Sequence, residues 1–376
     1  MNHALLGAAP GASLDWSLAT RGPVSSHNEW DPLEEVIVGI IDDASFPPWH
    51  SVLEPVLPVG QHATFRRHAG EPFPAERVAA ARAELDEFVS ILEGEGVTVR
   101  RPDPIPQRRP YTTLNWSSTG MYAAMPRDTL LVVGDEIIEC PMAWRSRYYE
   151  SLAYRPLLKR YFKAGSRWTA GPKPELTDDL YDGSWTDTPD DGNPQLVITE
   201  FEPTFDAADF LRFGRDIVGQ KSNVTNRFGI EWLRRHLGSE YRVHVLQFRD
   251  AHPMHIDATL MPLAPGKLLI NPERVPKVSA LFRGWDVRPA PQPVIPDSHP
   301  LYLTSKWINM NILVIDENRA VVEASDEPMV AALKGFGVTP IRCPFQNFNS
   351  FGGSFHCATV DVRRSGYLAS YLEVPV

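Results

Sequence analysis

Hydrophobic and polar residues alternate along this chain in a pattern that repeats several times. Pairs of short apolar runs surround tight turns such as Gly134–Asp135 and Pro265–Gly266. This pattern is typical of β-hairpins. The four predicted hairpins lie within residues 130–138, 210–218, 261–270 and 312–322.

A helix followed by a single strand is predicted between hairpins. In the segment that starts at Ala75, apolar residues fall three, four and seven positions apart and form one face of a helix. They are Val78, Leu85, Phe88 and Leu92. Gly94 and Gly96 end this helix, and residues 97–102 follow as a strand. The same order recurs at 232–245, 284–289 and 337–344.

Repeated mixed units of this kind are accommodated well by radial closure, which leaves few open sheet edges. The irregular spacing excludes a solenoid of fixed period, whereas an ordinary open α/β sheet stays an alternative. Residues 1–26 are rich in Gly, Ala, Pro and Ser and are expected to form a flexible leader, so we assign one α/β domain to 27–376. Within it, 171–195 and 289–300 are predicted surface loops, the first a candidate lid.

Composition narrows the choice of partners. The chain has 376 residues, 43% of them hydrophobic, and a formal net charge of −10. This charge argues against nucleic acid or an anionic membrane and favours a cationic small molecule. No run approaches the roughly 20 apolar residues of a membrane span, and the N-terminus resembles neither a signal nor a transit peptide. Three widely spaced cysteines form neither a disulfide framework nor a zinc motif. We therefore expect a cytoplasmic protein without a metal.

One cysteine is placed as a nucleophile would be. Cys357 follows the Gly-rich turn within 347–355 and directly precedes the alternating segment Thr359–Arg363. Glycine permits close approach of the backbone, and a thiol at the end of such a turn can attack a bound substrate. Alternatively, Cys357 is a small buried apolar residue, as free cysteines often are.

Acidic residues stand just before three of the predicted hairpins: Asp128, Asp206 and Asp257. In a radial arrangement the corresponding edges of the units converge, and convergent carboxylates suit the planar donors of a guanidinium. His255 shares a predicted strand face with Asp257 and is a candidate general acid or base. The alternative is that His255 is structural and that Asp206, with Asp209, caps a turn or faces solvent.

Three further residues are candidates for holding a substrate carboxylate. They are Arg274 and the adjacent hydroxyl residues Thr304 and Ser305. A guanidinium and two hydroxyl donors suit a carboxylate, although a surface charge and a polar turn would have the same sequence.

The cysteine, the histidine and the acidic residues fall within longer motifs that resemble those of the arginine-dependent amidinotransferases, and the resemblance runs from about Asn28 to the C-terminus. The motifs are MPRD (125–128), PMAWRSR (141–147), FDAAD (205–209), PMHIDAT (253–259) and GGSFHC (352–357). The resemblance is greatest to the branch that includes L-arginine:glycine amidinotransferase, with inosamine-phosphate amidinotransferases as more distant relatives. It implies a five-bladed, pseudo-symmetric α/β propeller of ββαβ modules, without a metal or organic cofactor.

The resemblance also implies catalytic roles. Cys357 would attack the guanidino carbon of L-arginine and form an amidino-cysteine, which predicts ping-pong kinetics. His255 would protonate departing ornithine and then deprotonate the acceptor amine, with Asp206 orienting its ring. Asp128 and Asp257 would bind the guanidinium of the donor.

For the rest of the substrate, the resemblance assigns Arg274, Thr304 and Ser305 to the α-carboxylate of the donor. The acceptor would be glycine or another amino acid or amine. His252 stands where the glycine branch has Asn, and with Met254 it would border the acceptor, so glycine itself stays open.

Two other functions are compatible with the same residues. A hydrolase similar to arginine deiminase would use water in place of the amine and give citrulline, and a non-catalytic module would only bind arginine. The sequence does not determine the oligomeric state, and a homodimer is one alternative that stays open.

Overall fold

The computed structural model describes residues 22–187 and 194–372. The strands are β1 (Leu33–Val38), β2 (Thr98–Arg100), β3 (Tyr111–Thr112), β4 (Ser117–Ser118), β5 (Leu130–Val133), β6 (Glu136–Glu139), β7 (Arg167–Ala170), β8 (Phe210–Phe213), β9 (Asp216–Gln220), β10 (Arg242–Leu246), β11 (Leu260–Ala264), β12 (Lys267–Ile270), β13 (Asp286–Pro289), β14 (Leu313–Asp316), β15 (Arg319–Glu323), β16 (Thr339–Cys343) and β17 (Thr359–Arg364). The α-helices are α1 (His62–His68), α2 (Ala75–Gly94), α3 (Pro126–Thr129), α4 (Ser151–Lys163), α5 (Arg227–Leu237), α6 (Glu327–Gly335) and α7 (Gln346–Asn349). Short 3₁₀ helices lie at Ser51–Leu53, Val59–Gln61, Arg145–Arg147, Asp178–Leu180, Ala207–Asp209, Gly238–Glu240, Ile256–Ala258, Ala280–Phe282 and Lys306–Met310.

Five three-stranded sheets share one connectivity. They are β17–β1–β2, β5–β6–β7, β8–β9–β10, β11–β12–β13 and β14–β15–β16. In each, the first two strands are antiparallel and the third lies parallel to the second. The α/β class and all four predicted hairpins are therefore confirmed. The first sheet joins strands from the two ends of the described chain.

Helix α2 supports the segment that leads into β17. Its predicted apolar face is buried, including Leu85 and Phe88. The ring of Phe88 lies 5.2 Å from that of Phe345 and 5.1 Å from that of Phe355, between centroids. Phe345 and Phe355 also stack on each other at 4.3 Å. Since these two rings flank the Gly-rich turn, the packing of α2 fixes where that turn begins and ends.

The local conformation around the histidine motif differs from the sequence-based expectation. His255 and Asp257 do not begin a strand, because His255 precedes the 3₁₀ helix Ile256–Ala258 with φ of +59°. Positive φ is uncommon for a residue with a side chain. In this conformation the imidazole is buried and lies 3.0 Å from Oδ2 of Asp206, a contact that the alternating pattern does not encode.

The structure also corrects three other expectations from the sequence. The repeat that ends in β13 has the 3₁₀ helix Ala280–Phe282 where an α-helix was expected. The predicted surface loop 171–195 is partly packed, since Leu176 and Leu180 are buried. Most of the predicted leader, residues 1–21, lies outside the described residues. Its last part is already structured, because Val24 is buried and Ser26 pairs with Gly134.

Within the described ranges, every helix is too short or too polar to cross a membrane.

A cluster of buried charges links the sheets. Asp361 on β17 accepts hydrogen bonds from Arg212 on β8 at 2.6 Å and from Arg127 in α3, just before β5, at 2.6 Å. Glu29, which precedes β1, pairs with Arg212 at 2.7 Å. Arg364 bonds to Asp361 and also to a backbone carbonyl of β14, at 2.8 and 2.9 Å. Buried charges are costly unless they are paired, so this cluster fixes how four of the sheets meet.

Replacing Arg212 with Met should lower the free energy of unfolding by about 3–5 kcal/mol, because Glu29 and Asp361 would stay buried with a cation missing. The urea midpoint, followed by tryptophan fluorescence, measures this change. The matched control is Arg235→Met on α5, where an exposed guanidinium pairs with Glu231 at the surface and little change is expected. Equal shifts in the two variants would contradict the assigned role of the cluster.

Candidate active site

A cavity of about 480 Å³ opens beside the Gly-rich turn. Eight of the residues predicted for the site contribute to its lining: His252, Met254, His255, Asp257, Arg274, Thr304, Ser305 and Cys357. The remaining two, Asp128 and Asp206, are buried next to the ring of His255 and do not form part of the lining. The structure therefore brings all ten predicted residues into or directly behind one cavity.

Two glycines allow the turn to reach the cavity. Gly352 has φ of +101°, which a side chain rarely permits. A Cβ on Gly353 would lie 2.5 Å from Sδ of Met125 and 2.6 Å from Cβ of Cys357. The close approach expected from the sequence is thus confirmed, and it places the thiol at the cavity wall.

An asparagine holds both the thiol and the backbone that carries it. Nδ2 of Asn311 donates to Sγ of Cys357 at 3.2 Å. Its Oδ1 accepts from the backbone N–H groups of Cys357 and Ser354 at 2.9 and 3.1 Å. On another side, Oδ2 of Asp257 lies 3.4 Å from the sulfur. The nucleophile candidate is therefore fixed in position by three hydrogen-bonding contacts to one residue and borders a carboxylate.

The imidazole of His255 lies between two carboxylates. Its Nε2 is 3.0 Å from Oδ2 of Asp206 and its Nδ1 is 3.7 Å from Oδ1 of Asp128. Arg147 donates to Oδ2 of Asp128 at 2.8 Å. Among the described residues, Oδ1 of Asp128 and Oδ1 of Asp206 are buried without a hydrogen-bond partner. These oxygens keep hydrogen-bonding capacity close to the thiol and the imidazole.

The same contacts set the protonation states. Burial by itself lowers the pKa of His255, but the charges of Asp128 and Asp206 raise it well above its ordinary value. Burial and then the charge of Asp257 raise the pKa of the Cys357 thiol to about 12. Burial opposes ionisation of Asp257, yet the hydrogen bond and charge of His356 lower its pKa. Near neutral pH the site thus holds a cationic imidazole, a neutral thiol and an ionised Asp257.

Other polar side chains line the cavity further along its wall. Nε of Arg274 pairs with Oδ2 of Asp250 at 3.0 Å. Nε2 of His252 lies 2.8 Å from Oδ1 of Asp187, so this ring already has a protein partner. Apolar side chains complete the wall: Val56, Leu57, Leu303 and Ile308. The cavity therefore combines paired charges with apolar surface that an alkyl chain could contact.

One group in the described part of the chain has the spacing of a metal site. The ligand atoms of Asp128, His255 and Cys357 all lie within 4.8 Å of one another. A metal requires a thiolate and a neutral imidazole, whereas the raised pKa values of Cys357 and His255 favour the opposite forms. An ion would have to displace both protons to bind here.

Sequence reasoning missed several residues that shape the site. Asn311 was one, although it stands just before β14 as Asp128 stands before β5, and that shared position could have indicated it. Arg147 lies in a quoted motif but received no role. His356 was noted only as a neighbour of the cysteine, yet its ring turns to Asp257 at 2.8 Å and Glu29 at 3.3 Å. No local pattern indicates these partners, because they are distant in sequence.

Known proteins resemble the chain over nearly its whole length. An L-arginine:L-lysine amidinotransferase of Pseudomonas savastanoi pv. phaseolicola is 66% identical over 350 residues, which cover 93% of this chain and 97% of the relative. The mitochondrial glycine amidinotransferase of Danio rerio is 49% identical over 361 residues, covering 94% of this chain and 86% of that protein. No family model matches the chain.

The solved structures include a similar fold at high coverage. SxtG, an amidinotransferase of Microseira wollei from the saxitoxin biosynthetic pathway, superposes with a TM-score of 0.86 at 50% identity. The match covers 93% of this chain and 99% of SxtG. The sequence comparison and the structural comparison thus both find amidinotransferases similar to this chain.

We expect alkylation of Cys357 by iodoacetamide to be slow at pH 7 and to accelerate about tenfold per pH unit up to about pH 10. The reason is that the thiolate fraction rises by that factor below a pKa of about 12. Mass spectrometry of the peptide that contains Cys357 follows the reaction, with Cys357→Ser as the control for peptide assignment. A rate that levels off between pH 7 and pH 9 would contradict the raised pKa.

Proposed function

The chain belongs to the amidinotransferase family, and we propose that it moves the amidino group of L-arginine to an amino acid with a terminal amine, L-lysine being the first candidate. One observation carries this proposal. A thiol, an imidazole and a carboxylate share a cavity with a guanidinium and two hydroxyl groups, in a chain 66% identical to an L-arginine:L-lysine amidinotransferase.

The guanidinium of the donor would bind between Asp257 and Asp128. Asp257 is ionised and lies 3.4 Å from the sulfur of Cys357. Oδ1 of Asp128 has no hydrogen-bond partner among the described residues, and a carboxylate oxygen of Asp128 lies within 4.8 Å of the same sulfur. Planar N–H donors suit two such carboxylates. The guanidino carbon would then stand next to the nucleophile.

Binding of the cation would also activate the thiol. The pKa of Cys357 is high because the side chain is buried beside Asp257. A guanidinium bound there adds a positive charge, which favours the thiolate. Because His255 is already protonated, the thiol proton would pass to solvent through the cavity that Cys357 lines as arginine binds. The nucleophile would then form only when a donor is present.

The transfer would then proceed in two steps. The thiolate forms a bond to the guanidino carbon while the bond from that carbon to Nε of arginine breaks. This nitrogen becomes the δ-amine of ornithine. His255 donates its proton to that nitrogen, and ornithine leaves a cationic amidino-cysteine. In the second step the acceptor amine attacks the same carbon and gives a proton to His255, and the thiolate departs. Asp206, 3.0 Å from Nε2, would keep the ring oriented through both steps.

The choice of L-lysine follows from the leaving group. Ornithine and lysine differ by one methylene, so a cavity that releases the first can admit the second in the same orientation. In both, Arg274, Thr304 and Ser305 would bind the α-carboxylate. The alkyl chain would contact the apolar wall, and burial of each methylene would contribute about 0.8 kcal/mol of favourable binding free energy. Glycine has no such chain and would leave this wall uncovered.

We also propose that the five sheets are blades of a propeller. The first strands β5, β8, β11, β14 and β17 follow closely after Asp128, Asp206, Asp257, Asn311 and Cys357. These five residues precede the first strands of five different sheets and yet lie around one thiol and one imidazole. Radial closure would explain this convergence, because it brings equivalent ends of all blades to a common axis.

Incubation with L-arginine and a panel of amines tests the reaction directly. Beyond the single equivalent of ornithine released when the amidino-cysteine forms, we expect ornithine and an amidinated amine to accumulate in equal amounts and only when an acceptor is present, with L-lysine reacting faster than glycine. Liquid chromatography with mass spectrometry quantifies both products. Citrulline formed without any acceptor would establish the hydrolase in place of the transferase.

The variant Cys357→Ala separates an enzyme from a binding module. We expect the turnover number to fall by at least about 10⁴-fold, because the covalent step is lost, while arginine still binds in calorimetry. In the wild-type protein, arginine alone should add the mass of one amidino group to the Cys357 peptide. Unchanged turnover in the variant would exclude the proposed nucleophile.

A further inference from the structure

A carboxylate and a guanidinium lie side by side on the cavity wall. Oδ2 of Asp250 is 3.0 Å from Nε of Arg274, and both residues line the cavity. Their side chains are only 12% and 16% exposed. Opposite charges held together at the edge of a cavity match the head group of an amino acid, which carries an ammonium and a carboxylate on one carbon.

Both side chains keep hydrogen-bonding capacity beyond their mutual contact. Oδ1 of Asp250 accepts from the backbone N–H of His252 at 3.0 Å, and each carboxylate oxygen can accept a second hydrogen bond. Nη1 of Arg274 donates to Thr259 at 3.3 Å. Within residues 22–187 and 194–372, Nη2 of Arg274 has no protein acceptor. The fold therefore orients this pair of side chains, and part of their hydrogen-bonding capacity is unused.

We propose that Asp250 binds the α-ammonium group of both donor and acceptor while Arg274 binds their α-carboxylate. This inference rests on the proposed amidino transfer and adds a specificity-determining residue to it. With the head group fixed at this pair, the amine that reacts at Cys357 must be at the far end of the side chain. Amino acids with a terminal amine meet that requirement, whereas the only amine of glycine is the one that Asp250 would hold.

A purely structural role for Asp250 makes a different prediction. If the carboxylate only orients Arg274, its loss weakens binding of every substrate that has a carboxylate, whether or not an α-ammonium is present. If it binds the ammonium, its loss affects only substrates that have one. Substrate analogues without the ammonium therefore distinguish the two roles.

The experiment compares two donors, L-arginine and 5-guanidinopentanoic acid, which lacks only the α-amino group. L-lysine is the acceptor throughout, so the product is the same, and kcat/KM for the donor does not depend on the acceptor in a ping-pong reaction. We expect the wild-type protein to prefer L-arginine by about 10- to 100-fold, the range of one charged hydrogen bond. In Asp250→Asn that preference should fall by at least about tenfold, through loss of activity with L-arginine alone.

The acceptor side is tested in the same way with L-lysine and 6-aminohexanoic acid, and the preference should fall in parallel. The matched control is Asp297→Asn, which removes another carboxylate of the cavity wall, one that is 97% exposed; it should keep the wild-type preference. Equal losses with both donors in Asp250→Asn would overturn the inference and leave a structural role. Absence of any transfer from L-arginine to amines by the wild-type protein would instead overturn the proposed function.

Discussion

The buried ion cluster around Asp361 is the interaction on which the rest of the structure depends. Arg127 of α3, Arg212 of β8 and Arg364 of β17 converge on this carboxylate at 2.6–2.8 Å. Burial opposes ionisation, yet these three charges hold the pKa of Asp361 far below its usual value. The cluster is stable only when all partners are present, because each charge left unpaired in the interior would be costly. It therefore specifies one arrangement of the sheets more strictly than apolar packing alone does.

The same cluster extends to the candidate active site. Glu29 bonds to Arg212 and also lies 3.3 Å from Nε2 of His356, whose Nδ1 is 2.8 Å from Asp257. Although burial opposes ionisation, the hydrogen bond and charge of His356 lower the pKa of Asp257 and so stabilise its ionised form. The carboxylate beside Cys357 is thus held in place and kept charged by side chains that join the sheets. Fold stability and site electrostatics have a common physical basis.

The charges within the cavity indicate why such a site would act on cations. The raised pKa of Cys357, beside an ionised Asp257, favours the neutral thiol, and under the proposed mechanism a further positive charge would favour the thiolate. Exposed thiolates are prone to oxidation and alkylation. Under the proposed mechanism, in which the thiol ionises only with a bound guanidinium, those side reactions would be limited. Further along the cavity wall, Arg274 and Asp250 have opposite charges that lie side by side and compensate each other. This arrangement suits a zwitterion.

The sequence by itself determined the elements and the types of chemistry. The hairpins and helix α2 follow from local periodicity, which depends on neighbours within one or two turns. The acidic site residues were recognised by their position just before the hairpins. The turn at His255, the role of Asn311 and the link from Glu29 to His356 were decided only by the tertiary structure. These features depend on contacts between residues far apart in the chain, 327 positions in the case of Glu29 and His356. Such contacts form only when the fold brings distant segments together, so no pattern of adjacent residues encodes them.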